Sequence, residues 1–160
     1  MKQYHEFDTS LTPIQRLILF HDGSMTKFLE LYFAQNVQTQ LLKESSLFYD
    51  DYLYDWKQFI PDAQIQREVI LNNQTQGNLI YARSLWTKIN YDKIMQTNKH
   101  NAIGKNLQNK QISQRRQILI ACQTKLPKSS NLPTQDVLSR AYLIYQEDQL
   151  LMYIEEYMLF

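Results

Sequence analysis

The sequence contains little cysteine, glycine or proline: one, three and four residues among 160. The single cysteine, Cys122, excludes an internal disulfide, and its place in the apolar run QILIAC is typical of a buried, unreactive thiol in a reducing compartment. Asn, Gln, Lys, Ile and Tyr are abundant instead, which is typical of an A/T-rich coding sequence in a reduced or organellar genome. That composition bears on the source of the chain and not on its chemistry.

The sequence also lacks an excess of charge and a long apolar run. Its 17 basic and 16 acidic side chains give a formal net charge of +1, so no overall field attracts nucleic acid or an anionic membrane. No segment reaches the roughly 18 apolar residues of a bilayer span, and the start MKQYHEFDTS has acidic residues and no apolar targeting core. We therefore expect a soluble protein with one domain over residues 1–160, long enough to enclose a core and a small pocket.

Helices are predicted early in the chain and in its middle. The stretch TPIQRLILFHDGSMTKFLELYF predicts two short helices separated at Gly23, because Thr12 and Ser24 are good N-caps and Pro13 suits a first helical turn. The acidic, aromatic stretch FYDDYLYDWKQFIP is either a helix or a covering loop. The polar region 91–114 predicts helical pieces, and KLPKSSNLP predicts a surface loop.

The strand pattern predicts an antiparallel sheet. One hairpin is expected through NNQTQG and a second through Glu147 and Asp148. Helices together with hairpins predict an α+β domain built on an antiparallel sheet of about six strands. The stretches that predict strands are QNVQTQLLKES, QIQREVIL, NLIYARSLW, RRQILIACQ, LSRAYLIYQ and QLLMYIEEYMLF.

Two arginines lie on apolar strand faces. With a period of two, Arg67 shares its face with Ile65, Val69 and Leu71, and Arg83 shares its own face with apolar neighbours. A guanidinium in an apolar layer costs several kcal/mol unless a carboxylate or a solvated cavity meets it. Two interpretations remain open: structural ion pairs, or a pocket in which arginine binds a ligand carboxylate at two points.

The last strand carries two adjacent glutamates among apolar residues. Glu155 alternates with Tyr153 and Tyr157, whereas Glu156 alternates with Ile154 and its apolar neighbours. The period therefore does not decide which glutamate points inward. A glutamate with apolar surroundings has a raised pKa and is suited to proton transfer.

Other motifs are weak. The three histidines, His5, His21 and His100, are far apart and follow no ligand spacing, so no metal site is predicted. The basic segment KNLQNKQISQRR is either a solvated face or an RNA-binding patch, and it lacks the clustered aromatics on which bases stack. Its basic residues are Lys105, Lys110, Arg115 and Arg116.

Four pieces of the chain, in this order and spacing, resemble the chorismate pyruvate-lyase family, and most closely its cyanobacterial and plastid-encoded branch. They are DGSMTKFLE, REVILNNQTQGNLIYARSL, AIGKNL with RRQIL, and SRAYLIYQEDQLLMYIEEYML, and the resemblance spans residues 13–159. It implies conversion of chorismate to 4-hydroxybenzoate and pyruvate without a metal or organic cofactor. It also implies a buried cavity under helical flaps on the α+β sheet, and a product that feeds the synthesis of quinone head groups of the plastoquinone or ubiquinone type.

The resemblance also implies site residues. Arg67 falls on the arginine that binds the substrate carboxylate, and Met25 and Ile103 fall on positions that meet the ligand through backbone groups. Glu155 falls on the glutamate of the closing strand, in preference to Glu156, and would donate to the ether oxygen or bind the new hydroxyl. Arg83 is either a second anchor for substrate or a structural partner of a glutamate.

Three functions are consistent with these patterns. The first is the lyase, in the plastid or in a bacterial cytoplasm. The second is a non-catalytic sensor of small aromatic carboxylates, because the effector-binding domains of some bacterial repressors share this architecture. The third is an interaction protein that uses the basic segment to bind nucleic acid. For the favoured lyase we expect a small-molecule substrate, no nucleic acid, no membrane, and a monomer or small homo-oligomer.

Overall fold

The structure is a computed structural model that describes residues 1–96 and 98–160. The described residues form one seven-stranded antiparallel sheet, in the order β1-β5-β6-β7-β4-β3-β2, together with four α-helices. The α+β prediction is confirmed, and the strand absent from the prediction is β1, whose three residues pair with β5. The elements are β1 (Lys2–Tyr4), α1 (Pro13–Phe20), α2 (Met25–Phe33), β2 (Gln38–Ser45), β3 (Ile65–Asn73), β4 (Gly77–Trp86), α3 (Lys88–Met95), α4 (Ile103–Asn109), β5 (Arg115–Lys125), β6 (Asp136–Gln146) and β7 (Gln149–Met158).

The starts of α1 and α2 are fixed by the predicted caps. The Thr12 hydroxyl accepts from the backbone N–H of Gln15 at 3.3 Å, and the Gln15 side chain accepts in return from the backbone N–H of Thr12 at 2.9 Å. The Ser24 hydroxyl accepts from the backbone N–H of Lys27 at 3.4 Å. The Ser24 cap fixes where α2 begins, and the start of α2 forms part of the cavity described below.

Two hairpins set the register of the central strands. Asn73 accepts from the backbone N–H of Gln76 at 2.7 Å, and Gly77 takes the left-handed φ of 76° that this turn requires. The β6–β7 turn likewise has Glu147 at a φ of 54°. Both predicted hairpins are therefore confirmed.

The sheet is buried on both faces. Helices α1 to α4 cover one face, which we call the helical face, where Leu19, Leu29 and Ile94 are fully buried. Segment 48–63 and the loop around Leu126 cover the other face, which we call the loop face. The aromatic stretch that was predicted as a helix or a covering loop is a cover with a single 3₁₀ turn, Trp56–Gln58. No described helix has the length and apolar character that crossing a bilayer requires.

Candidate functional site

A small cavity lies on the helical face, between the sheet and the starts of α2 and α4. Its volume is about 50 Å³. The strand residues in its wall are mostly apolar, and the polar groups are concentrated in a few side chains. The wall consists of Ser24, Met25, Thr26, Arg67, Val69, Leu71, Ala82, Ala102, Ile103, Gly104, Arg116, Tyr142, Ile144, Ile154 and Glu156.

Arg67 enters this cavity from β3 without a carboxylate partner. The residue is 1% exposed, and its Nη2 donates to the backbone carbonyls of Lys99 and Asn101, each at 2.9 Å. Its buried Nε has no partner among the described residues. Burial lowers the pKa of Arg67, and Tyr91 and Glu44 offset only part of that shift. A buried cation in this state is poised to receive an anion.

The two other fully buried arginines differ from Arg67 because each is ion-paired. Arg83 Nη2 lies 2.7 Å from Glu155, and Arg140 Nε lies 2.7 Å from Glu156. Burial alone would lower the pKa of both guanidinium groups, but the neighbouring glutamates raise the pKa of each above its ordinary value. Among these three arginines only Arg67 forms no ion pair with a carboxylate of the described residues.

Glu156, and not Glu155, shares the cavity with Arg67. In the β4–β7 ladder Glu156 is opposite Ala82, and in the β3–β4 ladder Ala82 is opposite Val69, which alternates with Arg67 on the helical face. Glu155 is opposite Arg83 and therefore lies on the loop face. The prediction that placed Glu155 in the cavity is wrong by one residue, because β7 is buried on both faces and alternation did not distinguish them.

Glu155 is the centre of a separate buried network on the loop face. Its carboxylate accepts hydrogen bonds from the hydroxyls of Tyr153 at 2.6 Å and Tyr157 at 2.7 Å, and from the backbone N–H of Leu53 at 2.5 Å. These contacts, together with the Arg83 ion pair, hold the covering segment against the sheet.

Arg83 belongs to the same network and does not reach the cavity. Besides Glu155, it bonds Asp51 at 2.7 Å and Ser129 at 3.2 Å, and its Nη2 lies 2.9 Å from the hydroxyl of Tyr157. Of the two interpretations of Arg83, the structure supports the structural partner. The expectation of a second substrate anchor at Arg83 is not met. Ala82, the residue before it on β4, lines the cavity, and neighbouring residues of a strand point to opposite faces.

The Glu156 carboxylate is held by two donors from β6. One oxygen accepts from Arg140 Nε at 2.7 Å, and the other accepts from the Tyr142 hydroxyl at 2.8 Å. Arg140 is in turn held by the backbone carbonyl of His21, to which its Nη1 donates at 2.9 Å. Burial raises the pKa of Tyr142, so its hydroxyl remains a proton donor at neutral pH. This arrangement places a carboxylate that is ion-paired with Arg140 beside a phenol hydroxyl. The carboxylate can accept a hydrogen bond from a ligand.

Met25 and Ile103 line the cavity. Each is the first residue of its helix, α2 or α4, where backbone N–H groups have no partner within the helix. Ala102, the N-cap of α4, supplies no side-chain cap. Both helix starts therefore offer backbone donors near the cavity for an anionic oxygen.

The site residue that the sequence pattern missed is Arg116. It was grouped with a basic surface segment, but it lies in the cavity wall, whereas the adjacent Arg115 is exposed and stacks on Tyr145 with 4.4 Å between the guanidinium and the ring centroid. Strand alternation was the available signal, because Arg116 shares its face with Ile118 and faces Ile144 across the β5–β6 ladder.

An open groove adjoins the cavity from outside. The groove measures about 580 Å³ and includes Lys27, His100 and Lys105. The cavity and the groove are separated where α2 and α4 touch: a Cβ on Gly104 would lie 2.8 Å from the Ser24 hydroxyl, so only glycine permits this approach. A ligand can reach the cavity from the groove if α4 moves away from α2.

His21 predicts a pH dependence of stability at the edge of the site. Burial lowers the pKa of His21, and Arg140 lowers it further, so the folded state favours the neutral ring. The unfolded pKa is about 6.5, so this contribution to stability is present above that pH and is lost as the pH falls through the lower folded-state pKa. We expect the free energy of unfolding to fall more between pH 7 and pH 5 in the native protein than in His21→Asn, as measured by urea denaturation. Equal slopes for the two proteins would contradict this prediction.

Comparisons with known proteins bear on the family and the fold. No curated protein matches the sequence. Among solved structures, PhnF from Mycobacterium smegmatis superposes with a TM-score of 0.60 at 16% identity, over 88% of this chain and 65% of that chain, which supports the fold alone. The chain thus spans about 65% of the length of PhnF. The family described as chorismate pyruvate-lyase Rv2949c-like matches residues 19–160. The predicted chorismate lyase-like α+β fold is therefore confirmed, and the chain belongs to the chorismate pyruvate-lyase Rv2949c-like family.

Proposed function

We propose that the chain binds chorismate in this cavity and converts it to 4-hydroxybenzoate and pyruvate. The observation that carries the proposal is Arg67, a buried guanidinium that enters the cavity without a carboxylate partner, in a member of this family. In the reaction the ether C–O bond breaks, the ring loses the hydrogen on its hydroxyl-bearing carbon, and the released enolpyruvyl group gains a proton. Atoms and electrons balance without an oxidant or a reductant.

Arg67 holds the ring carboxylate in this proposal. A guanidinium offers two parallel N–H donors to a carboxylate, and a desolvated site strengthens both bonds. In the ligand-free state Nη2 donates to the backbone carbonyls of Lys99 and Asn101, so the substrate carboxylate replaces these carbonyls as the acceptor. The apolar side chains of Ile103, Ile144 and Ile154 suit the flat ring.

Glu156 is the proton-handling group of the proposal. Because Arg140 and Tyr142 both donate to it, Glu156 enters the reaction as a carboxylate that accepts from the ring hydroxyl or takes up the ring proton. In this proposal Glu156 takes the place that was predicted for Glu155, and it accepts a proton where Glu155 was expected to donate to the ether oxygen. Tyr142 is the neighbouring group that donates a proton toward the leaving oxygen, and it recovers one from Glu156, to which its hydroxyl is hydrogen-bonded, after Glu156 has taken up the ring proton.

Binding requires the cavity to enlarge. Its 50 Å³ is far below the roughly 300 Å³ of a typical ligand pocket. Residues 98–102 and α4 are the cover that moves, because they separate the cavity from the groove and contact Arg67 only through backbone carbonyls. Once the cover closes over substrate, it excludes water from the reacting groups.

Incubation of the protein with chorismate tests the proposal. We expect loss of chorismate absorbance and release of an equal amount of pyruvate, detected with lactate dehydrogenase. We expect the activity to persist in excess EDTA, because the described residues bring together no cluster of three His, Cys, Asp or Glu side chains that could hold a metal. Turnover that EDTA abolishes and a divalent metal restores would contradict this part of the proposal.

A second candidate is a non-catalytic binder of aromatic carboxylates. It is favoured by one observation: both oxygens of Glu156 already have partners, so the site can bind a ligand without proton transfer. Binding of 4-hydroxybenzoate without pyruvate release from chorismate would identify this function. Of the four basic residues of the segment 105–116, Arg116 lines the cavity and is therefore not part of an outer basic face. Supply of quinone head groups and a plastid location are further parts of the lyase proposal.

A further inference from the structure

The charges in the cavity wall do not balance. Arg67, Arg116 and Glu156 are the charged side chains that the described residues place there. The charge of Glu156 is matched by Arg140 at 2.7 Å behind it. Two guanidinium groups therefore face the cavity without a carboxylate, and their combined charge of about +2 equals that needed to neutralise a dianion.

Arg116 has the features of a binding residue. Its Nη1 donates to the backbone carbonyl of Asp22 at 3.0 Å, which holds the side chain in place and leaves its charge unmatched. Its Nε is buried without a hydrogen-bond partner, as is the Nε of Arg67. Its guanidinium carbon lies 5.9 Å from the ring centroid of Tyr142, which also lines the cavity. The described residues give Arg116 no ion pair.

The two arginines reach the cavity from strands at different positions in the sheet. Arg67 is on β3 and Arg116 is on β5, with β4, β7 and β6 between them. Four spacings of about 4.8 Å separate the two strands by roughly 19 Å or less, because a twisted sheet shortens the direct path. Long side chains that enter from both sides can contact the two ends of a small ring once the cavity has enlarged.

We propose that Arg116 is the second carboxylate anchor of the cavity, and that the cavity selects dianions. This inference rests on the proposed function: Arg67 would hold the ring carboxylate of chorismate, and Arg116 would hold the carboxylate of its enolpyruvyl group. A monoanion pairs with only one of the two guanidinium groups and therefore lacks the second ion pair that a dianion gains. Arg116 thus has the role of second substrate anchor, which was one of the two roles predicted for Arg83.

A matched pair of ligands tests this inference: 3-(carboxymethoxy)benzoate and 3-methoxybenzoate differ by one carboxylate. We expect titration calorimetry to show at least tenfold tighter binding of the dicarboxylate to the native protein. Arg116→Gln should weaken the binding of the dicarboxylate tenfold or more and change the affinity for the monocarboxylate less than threefold. Arg116→Lys, which keeps the charge, should recover part of the loss.

Arg115→Gln is the control, because it removes the same charge from the neighbouring exposed residue and should leave both affinities within twofold. An Arg116→Gln variant that binds the dicarboxylate within threefold of the native protein overturns the inference. Failure of the native protein to bind either ligand also overturns it. Chorismate turnover, measured on the same preparations, reports separately on the proposed function. If the native protein turns over chorismate but Arg116→Gln binds the dicarboxylate as tightly as the native protein does, the second anchor is refuted and the proposed function stands.

Discussion

Replacement of Arg67 with glutamine is expected to weaken the binding of 4-hydroxybenzoate by about 3 kcal/mol, or roughly a hundredfold, while the fold survives. Arg67 is buried without a carboxylate, so the variant leaves no opposite charge unpaired. The variant loses two hydrogen bonds to backbone carbonyls, which lowers its stability, but it no longer buries a desolvated cation, which raises it. Binding is measured by titration calorimetry, and stability by urea denaturation.

Arg83→Gln provides the matched control, because Arg83 is equally buried but lies on the loop face. This variant should lose about 3 kcal/mol of stability, since it leaves the buried Glu155 without its ion-pair partner. The folded fraction should bind 4-hydroxybenzoate normally. Arg67→Lys should recover only part of the affinity, because an ammonium does not reproduce the two-point contact. Unchanged binding in Arg67→Gln would remove Arg67 from the site.

The opposite expectations for two similar arginines follow from what surrounds each of them. The network around Arg83 includes Asp51, Glu155 and Tyr157, so its removal disrupts the protein. The surroundings of Arg67 are two backbone carbonyls and the cavity, and none of its hydrogen bonds goes to a carboxylate of the described residues. A buried charge that the protein leaves unpaired lowers its stability, and such a cost is found where a ligand supplies the missing partner.

Local sequence signals predicted the elements well because each depended on a few neighbouring residues. Thr12 and Ser24 marked the helix starts, since a side-chain oxygen at an N-cap satisfies a nearby N–H. The NNQTQG turn marked the first hairpin, since Gly77 adopts its left-handed conformation readily. The inward position of Arg67 followed from alternation with Val69 and Leu71.

Pairing between distant strands was harder to predict. Arg116 looked like part of a basic surface because its neighbours in sequence are polar, and only the approach of β6 and α2 encloses it. The two glutamates of β7 were ambiguous because helices cover one face of that strand and segment 48–63 covers the other. A strand that is apolar on both sides carries no periodic signal, so its orientation depends on long-range contacts.

Substitution of the two glutamates is expected to separate catalysis from stability. Glu156→Gln keeps the size of the side chain and can still accept a hydrogen bond, but it removes the negative charge that accepts a proton. We expect kcat for chorismate to fall by about 10²-fold or more. Glu155→Gln should leave kcat of the folded protein within about threefold, because Glu155 lies on the loop face.

Both variants should lose stability, since each breaks a buried ion pair at a cost of about 3 kcal/mol. Stability therefore does not distinguish them, and kinetics at saturating chorismate does, once the folded fraction of each variant has been measured by circular dichroism. The β7 register makes the two outcomes exclusive, because a shift of one residue exchanges every side chain between the faces. An impaired Glu155→Gln beside a fully active Glu156→Gln would put Glu155 in the cavity. It would then also remove Arg140 from the chemistry of the site, since Arg140 acts there only through Glu156.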